Sequence, residues 1–255
     1  MSSRLLRIDI NCDLGESTHQ RPLPDQAALF PYLSSCNIAC GFHGGDPLFI
    51  EQAIRQAIAH GLRIGAHPSY PDRMNFGRKP MPLPPERLQA EVRYQVAALK
   101  GMAESLGGHL SYVKPHGALY NQMAFDEAIA RPVLAAVKAI DPSLGLMGLA
   151  GSPLQQWVAA AGLHFIAEAF ADRRYTRDGK LAPRTQQGAV LSAPQAVVEQ
   201  AHRIITGQLV ATLDGSSITI QADSLCLHGD HPQALAIAQA LDTHFRRQGI
   251  QKSAS

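Results

Sequence analysis

At 255 residues, with 45% hydrophobic and 17% charged residues, the chain is long enough for one large α/β domain. Its formal charge of +2 comes from interleaved basic and acidic residues, with no clustered Lys/Arg face, which argues against a nucleic-acid partner. No apolar run approaches the ~18 to 20 residues of a membrane span, and MSSRLLRIDINCD leads straight into a strand with no signal-peptide core, so a cytoplasmic protein without membrane attachment is expected.

The first predicted strand alternates: Ile8, Ile10 and Cys12 share one face, and Asp9, Asn11 and Asp13 the other. Side chains two apart point the same way, so three polar residues face an interior. In the second strand Asn37, Ala39, Gly41 and His43 oppose Cys36, Ile38, Cys40 and Phe42. Asp46-Pro47 then reads as an N-cap with proline in the first turn, followed by a stripe of Ile50, Ile54, Ala57 and Ile58 that stops at Gly61. In the third strand Arg63, Gly65 and His67 separate from Leu62, Ile64 and Ala66, and a helical stripe from Leu88 to Leu106 ends at Gly107-Gly108. In the fourth strand Tyr112, Lys114 and His116 oppose Val113 and Pro115.

Segments 126–140, 153–161, 194–206 and 232–247 read as further helices. The fifth strand, LGLMGLAG, is apolar throughout, and the sixth, HFIAEAF, brings Glu168 to the inner face by a weaker alternation. LVATLDGSSITIQ, with Asp214-Gly215 between two alternating runs, signals an inserted hairpin. In the last strand Cys226, His228 and Asp230 oppose Leu225 and Leu227. The βαβα order predicts a parallel sheet of about seven units. Polar residues on the inner face of several strands favour a closed barrel, since an open sheet would bury them under helices. We therefore read residues 1–255 as one (β/α) barrel domain. By parity Cys12, Cys36 and Cys40 are ordinary buried thiols beneath the helices.

NCDLGE, ACGFHGGDP, GAHPSYPD, VKPHGALY and CLHGD all place a histidine or acid at the carboxyl end of a strand, where α/β enzymes hold their sites. His43, His67, His116 and His228, with Asp13, Glu16, Asp46 and Asp230, offer proton shuttles and metal ligands. No HxxxH or HExxH spacing occurs, and whether a metal is bound stays open. Lys114 is either an ion-pair partner of Asp9, Asp13 or Glu168 or a fixed charge for an anion. The segment FADRRYTRDGKLAPRTQQG carries Asp172, Arg173, Arg174, Tyr175, Arg177 and Arg184, and YPDRMNFGRKP carries Arg73, Arg78 and Lys79. Arginines in loops of this length suit an acidic small molecule. There is no GxSxG elbow, no GxxxxGK[ST] phosphate loop and no GxGxxG fingerprint.

DINCDLGE, NIACGFHGGDP, RIGAHPSYPDRMNFGRK, YVKPHGALYNQ, LAGSPL, EAFADRRYTRDGKLAPR and CLHGD, in this order, resemble the LamB/YcsF family over roughly residues 6 to 248. The resemblance implies an irregular seven-stranded barrel similar to the glycoside hydrolase/deacetylase type. It also implies the A component of a bacterial 5-oxoprolinase, which opens 5-oxo-L-proline to L-glutamate at the expense of ATP with subunits B and C as partners. On that reading Asp13, His43, His67, Lys114, His116 and His228 are the catalytic candidates. Asn11, Glu16, Asp46, Glu168, Arg173, Arg174 and Asp230 are candidates for binding substrate or orienting histidines, and ATP is handled with the partners. Two alternatives stand beside it. One is a stand-alone deacetylase or amidohydrolase with a divalent metal on His43, His67 and Asp13, acting on an acidic or carbohydrate substrate; the other is a non-catalytic subunit presenting an acidic ligand.

Overall fold

A computed structural model describes residues 6–23, 26–229 and 232–253. In chain order they form β1 (Arg7–Leu14), β2 (Ser35–Ala39), α1 (Pro47–Ala59), β3 (Arg63–His67), α2 (Pro85–Ser105), β4 (Leu110–Val113), α3 (Gly117–Met123) and α4 (Glu127–Ile140). There follow β5 (Gly145–Leu149), α5 (Leu154–Ala160), β6 (His164–Phe170), α6 (Pro194–Ile205), β7 (Val210–Ala211), β8 (Ser217–Ile218), β9 (Ser224–Leu227), α7 (Ala234–Gln248) and β10 (Gln251–Lys252). Short 3₁₀ turns lie at Ala27–Tyr32 and Arg73–Asn75.

Strands β1, β2, β3, β4, β5, β6 and β9 pair in that order, and β9 returns to β1 to close a seven-stranded parallel barrel. β10 adds a short parallel pairing at Arg7 and Ile8. β7 and β8 form the inserted antiparallel hairpin, turning at Gly215 with φ of 85°. The α1 cap is as read from Asp46-Pro47: the Asp46 carboxylate accepts from the amides of Leu48 and Phe49 at 3.1 and 3.2 Å, satisfying donors that the first turn leaves free. Asp126 caps α4 in the same manner. The short α3, directly after His116, was not foreseen, because seven residues are too few to show a helical stripe.

The outer faces of the strands carry the core. Ile8, Ile10, Cys12, Leu14, Cys36, Ile38, Ile64, Val113, Leu146, Ala169 and Leu225 are buried against the helices, each large side chain contributing roughly 1.5–3 kcal/mol. The inner face is polar along much of its length. Asp9 Oδ1 accepts from the hydroxyls of Ser34 and Ser35 at 2.6 and 2.7 Å, and Asp9 Oδ2 from Ser224 at 2.5 Å. Tyr112, Met147 and Ile166 form a separate apolar cluster inside the barrel, which gives the uniformly apolar fifth strand its inward residue. The guanidinium of Arg63 lies over the Tyr112 ring, 4.9 Å from its centroid.

Gly65 makes room for that ring. A Cβ there would overlap Cε2, Cζ and Cδ2 of Tyr112, whose hydroxyl donates to Asn37 Oδ1 at 2.7 Å. Gly65→Ala is expected to lower the unfolding free energy by about 3 kcal/mol, the upper part of the range for overpacked cores, read as a shift in the urea midpoint at constant slope.

Candidate active site

Lys114 follows the last residue of β4 and is 3% exposed. Its ammonium lies 2.7 Å from Glu168 Oε1 and 3.0 Å from Asp13 Oδ1, and it donates to Asn11 Oδ1 at 3.2 Å. Asn37 donates to Asn11 Oδ1 at 2.7 Å and to Asp13 Oδ1 at 2.8 Å, so β1, β2, β4 and β6 all contribute to one network. Burial raises the carboxyl of Asp13, but His67 and Lys114 outweigh it and hold the group well below its usual range. Burial disfavours the ammonium of Lys114, yet Asp13 and Glu168 hold its pKa well above that of a free lysine. The Cys226 thiol, 3.2 Å from this ammonium, is pushed up by burial and stays protonated. Asp9, a candidate partner of Lys114, is committed to the serines instead.

The second group is a cluster of histidines. β2 ends at Ala39, so His43 reaches the interior from a loop, not by the strand parity that pointed to it. His43 Nε2 is 3.0 Å from Glu16 Oε1, and His116 Nδ1 is 3.5 Å from the same oxygen. His67 Nδ1 lies 2.6 Å from the carbonyl of Lys114 and His116 Nε2 2.9 Å from that of Phe76. A carbonyl only accepts, so these nitrogens carry the protons. The two nitrogens left over, His67 Nε2 and His116 Nδ1, face each other at 3.0 Å. Burial, and then the neighbouring histidines, push His43 and His116 well below the usual imidazole range, so both are neutral. Gly77, at φ of 64°, lets the loops close around them: a Cβ would meet His116 Cδ2 and His43 Cβ at 2.9 Å.

The third group is His228 with Asp172. His228 Nδ1 is 2.7 Å from Asp172 Oδ2, so the carboxylate fixes the proton on Nδ1 and leaves Nε2 as the acceptor. Burial raises the Asp172 carboxyl, but His228 outweighs it and the net displacement is downward. The ring of His228 is stacked on Phe170 at 5.7 Å.

A cavity of about 600 Å³ joins the three groups, lined by Asp13, Glu16, His67, Lys114, His116 and His228 and, elsewhere on its wall, by Arg78, Arg173, Lys180 and Arg184. Burial and the nearby Arg184 lower Arg173 to about 10. Two guanidiniums on one wall of a cavity favour an anion between them. The long loop that carries them is anchored, not free to swing: the Tyr175 hydroxyl accepts from the Phe170 amide at 2.7 Å, and Gln200 donates to the carbonyl of Arg173 at 2.7 Å.

Of the residues singled out in the sequence, Asp13, Glu16, His67, Lys114, His116, His228 and Arg173 line this cavity. His43 stands behind it, within the histidine cluster, and Asn11 and Glu168 are fully buried beneath. Two candidates are placed elsewhere. Asp46 is occupied with capping α1, and Arg174 donates to the carbonyl of Ala211 in the hairpin at 3.1 Å because neighbouring residues of an extended segment point apart. Asp230 lies outside the described residues, and the part of orienting His228 falls to Asp172. The carbonyl of Phe76 was missed, since a backbone acceptor has no side-chain signature; Tyr120 and Lys180, which also line the cavity, were missed because they lie on a short helix and a loop where strand parity does not apply. For the metal alternative, the residues brought together are Glu16, His43, His67 and His116; Asp13 lies 3.3 Å from His67 but is tied to Lys114.

Residues 8–255 match the LamB/YcsF family. The chain is 47% identical over 243 residues to a 5-oxoprolinase A component (the one numbered 1) of Agrobacterium fabrum, covering 95% of each. The crystal structure of a lactam utilization protein from Thermus thermophilus superposes with a TM-score of 0.91 at 40% identity, over 98% of this chain and 100% of that one. A family 4 carbohydrate esterase from Streptomyces lividans, at 10% identity over 96% of this chain and 91% of that one, shares the fold with a TM-score of 0.50. Among the described residues no helix is long and apolar enough to cross a membrane.

Removing Lys114 strands two buried carboxylates. Lys114→Met is expected to cost about 3–5 kcal/mol, and much less when Glu168→Gln is already present, a coupling that a double-mutant cycle on urea unfolding measures. Because the folded Asp13 pKa is depressed, its contribution is complete above the unfolded value of about 3.9 and fades as pH falls through the folded one. Because that of Lys114 is raised, its contribution is complete below about 10.4 and fades on the alkaline side. Between these limits the wild-type midpoint is expected to be flat with respect to this network.

Proposed function

The chain belongs to the LamB/YcsF family, and from that premise we propose that it is the lactam-opening A component of an ATP-dependent 5-oxoprolinase, converting 5-oxo-L-proline to L-glutamate together with subunits B and C. The observation that carries the reading is one cavity in which a carboxylate-oriented histidine, His228, faces the Asp13–Lys114 pair across a space walled by arginines. The names borne by its relatives, the A component of 5-oxoprolinase and a lactam utilization protein, support the same substrate class.

A five-membered lactam is an unstrained amide, and water alone opens it slowly. Transfer of the γ-phosphoryl group of ATP to the lactam oxygen would give a carbon open to attack. His228 Nε2 then takes a proton from water as it adds to that carbon. The C–N bond breaks, the ring nitrogen regains a proton, and a second water releases phosphate from the resulting acyl phosphate. Overall, 5-oxoproline, ATP and two waters give glutamate, ADP and phosphate. Lys114, paired with Asp13 and Glu168, keeps Asp13 ionised and oriented at the cavity. Arg173 and Arg184 hold the substrate carboxylate or the phosphoryl group. This chain has no phosphate-loop motif, which fits ATP being handled with the partner subunits.

The test is ATP-dependent release of glutamate from 5-oxoproline by the purified chain, alone and mixed with subunits B and C. Turnover is expected only in the mixture; turnover by the isolated chain without ATP would overturn the reading. In the assembled complex His228→Asn and Asp172→Asn should each lower kcat by on the order of 100-fold or more. Arg173→Ala should act mainly on KM, as expected for lost binding common to ground and transition state.

A further inference from the structure

The facing nitrogens of His67 and His116 pose a specific problem. Their outer nitrogens donate to the carbonyls of Lys114 and Phe76 at 2.6 and 2.9 Å. With a proton on each outer nitrogen, the two inner nitrogens are set 3.0 Å apart at 1% and 5% residue exposure. Two lone pairs do not approach in this way without something positive between them. Asp13 Oδ2, 3.3 Å from His67 Nε2, is tied to Lys114; the further imidazole and carboxylate here are His43 Nε2, 3.0 Å from Glu16 Oε1, and Glu16 itself, 3.5 Å from His116 Nδ1. All four groups place a ligand atom within 4.8 Å of one another, and all four residues are buried. Around one four-coordinate ion with bonds of about 2.0–2.1 Å, ligand atoms sit about 3.3 Å apart, close to these spacings.

We infer that Glu16, His43, His67 and His116 form a binding site for one divalent first-row transition ion of the zinc type. Three imidazoles and one carboxylate exclude Mg²⁺ and Ca²⁺, which take oxygen ligands. The backbone carbonyls behind His67 and His116 are the outer partners that metal-bound histidines ordinarily have. The Nδ1 of His43 is buried with no hydrogen-bond partner, so of the three rings this one lacks such an outer partner. The site borders the same cavity through Glu16, His67 and His116; a bound ion would polarise a carbonyl or acidify a water there. That use rests on the lactam-opening reading above, whereas the binding itself does not.

The test reads metal and not turnover, so its failure and the failure of the oxoprolinase reading are distinguishable. The full chain, stripped with chelator and loaded with Zn²⁺, is expected to retain one equivalent through gel filtration. Loaded with Co²⁺, it should show the visible absorption of a four- or five-coordinate nitrogen-oxygen site. His67→Ala and His116→Ala should each weaken Zn²⁺ binding by at least about 100-fold, beyond the effect of an outer-partner change. Glu16→Gln, nearly isosteric and so the variant surest to fold, should weaken binding and shift the Co²⁺ bands. His244→Ala should do neither. Near-surface His202 and His244, whose nitrogens approach to 3.1 Å, are the competing site: an ion lost in His244→Ala and kept in His67→Ala overturns the proposal. So does a folded wild-type chain that retains no ion, which would leave a shared proton between His67 and His116.

Discussion

An ammonium buried inside the barrel sets the terms for the rest of the molecule. Taking Lys114 out of water costs several kcal/mol, recovered only with close, well-oriented counter-charges. Asp13, on β1, and Glu168, on β6, supply them, with Asn11 and Asn37 filling the remaining hydrogen bonds. These residues come from strands that meet only when the sheet closes, so closure and charge compensation are one event. The alternation of Asp9, Asn11 and Asp13 against Ile8, Ile10 and Cys12 is the local expression of that requirement. A shift of one residue in the β1 register would expose the first set to the helices and bury the second set in the polar interior.

The network also determines the chemistry of its neighbours. Lys114 bonds through its side chain to Asp13 and through its carbonyl to His67, so the residue that stabilises the interior also fixes a histidine tautomer. Phe76 does the same for His116 from a backbone with φ of 55°, an uncommon conformation for a bulky residue. The adjoining Gly77 and Gly117 permit close approach, since a Cβ on Gly117 would meet the carbonyl oxygen of Gly77 at 2.6 Å. Backbone strain of this kind persists where surrounding contacts over-determine it. Here it aims one carbonyl at one ring nitrogen.

Much of this was legible in the sequence, for a definite reason: strand parity is strict, and a barrel interior punishes apolar and polar residues placed on the wrong face. Parity alone put Asn11, Asp13, Asn37, His67, Lys114, Glu168 and His228 on one surface. It held one residue past the end of a strand, at Lys114 and His228, and stopped working farther on. His43 lies beyond β2, and Gly41, at φ of 83°, intervenes, so its inward position came from loop geometry that alternation does not describe. Asp172 was visible as a loop acid, but its pairing with His228 requires knowing that β6 and β9 are neighbours, a fact of topology. Arg173 and Arg174 read alike in the sequence, and only the extended backbone separates the one facing the cavity from the one facing the hairpin.

The distribution of charge around the cavity bears on which species the site accommodates best. Asp13, Lys114 and Glu168 together carry about one negative charge, already satisfied internally, so they add little attraction for an anion. Another part of the wall carries Arg78, Arg173, Lys180 and Arg184, of which Lys180 is paired with Asp178 at 2.9 Å. On the proposed reading a free 5-oxoproline brings a single carboxylate to these cations. A phosphorylated lactam adds roughly two more negative charges and brings several acceptor oxygens that arginine forks match. The wall is therefore better suited to the activated form than to the free lactam. On the proposed reading this gives a physical reason for activation to come before ring opening: the cavity's cations would hold the phosphorylated species longest, in reach of His228 and away from bulk water.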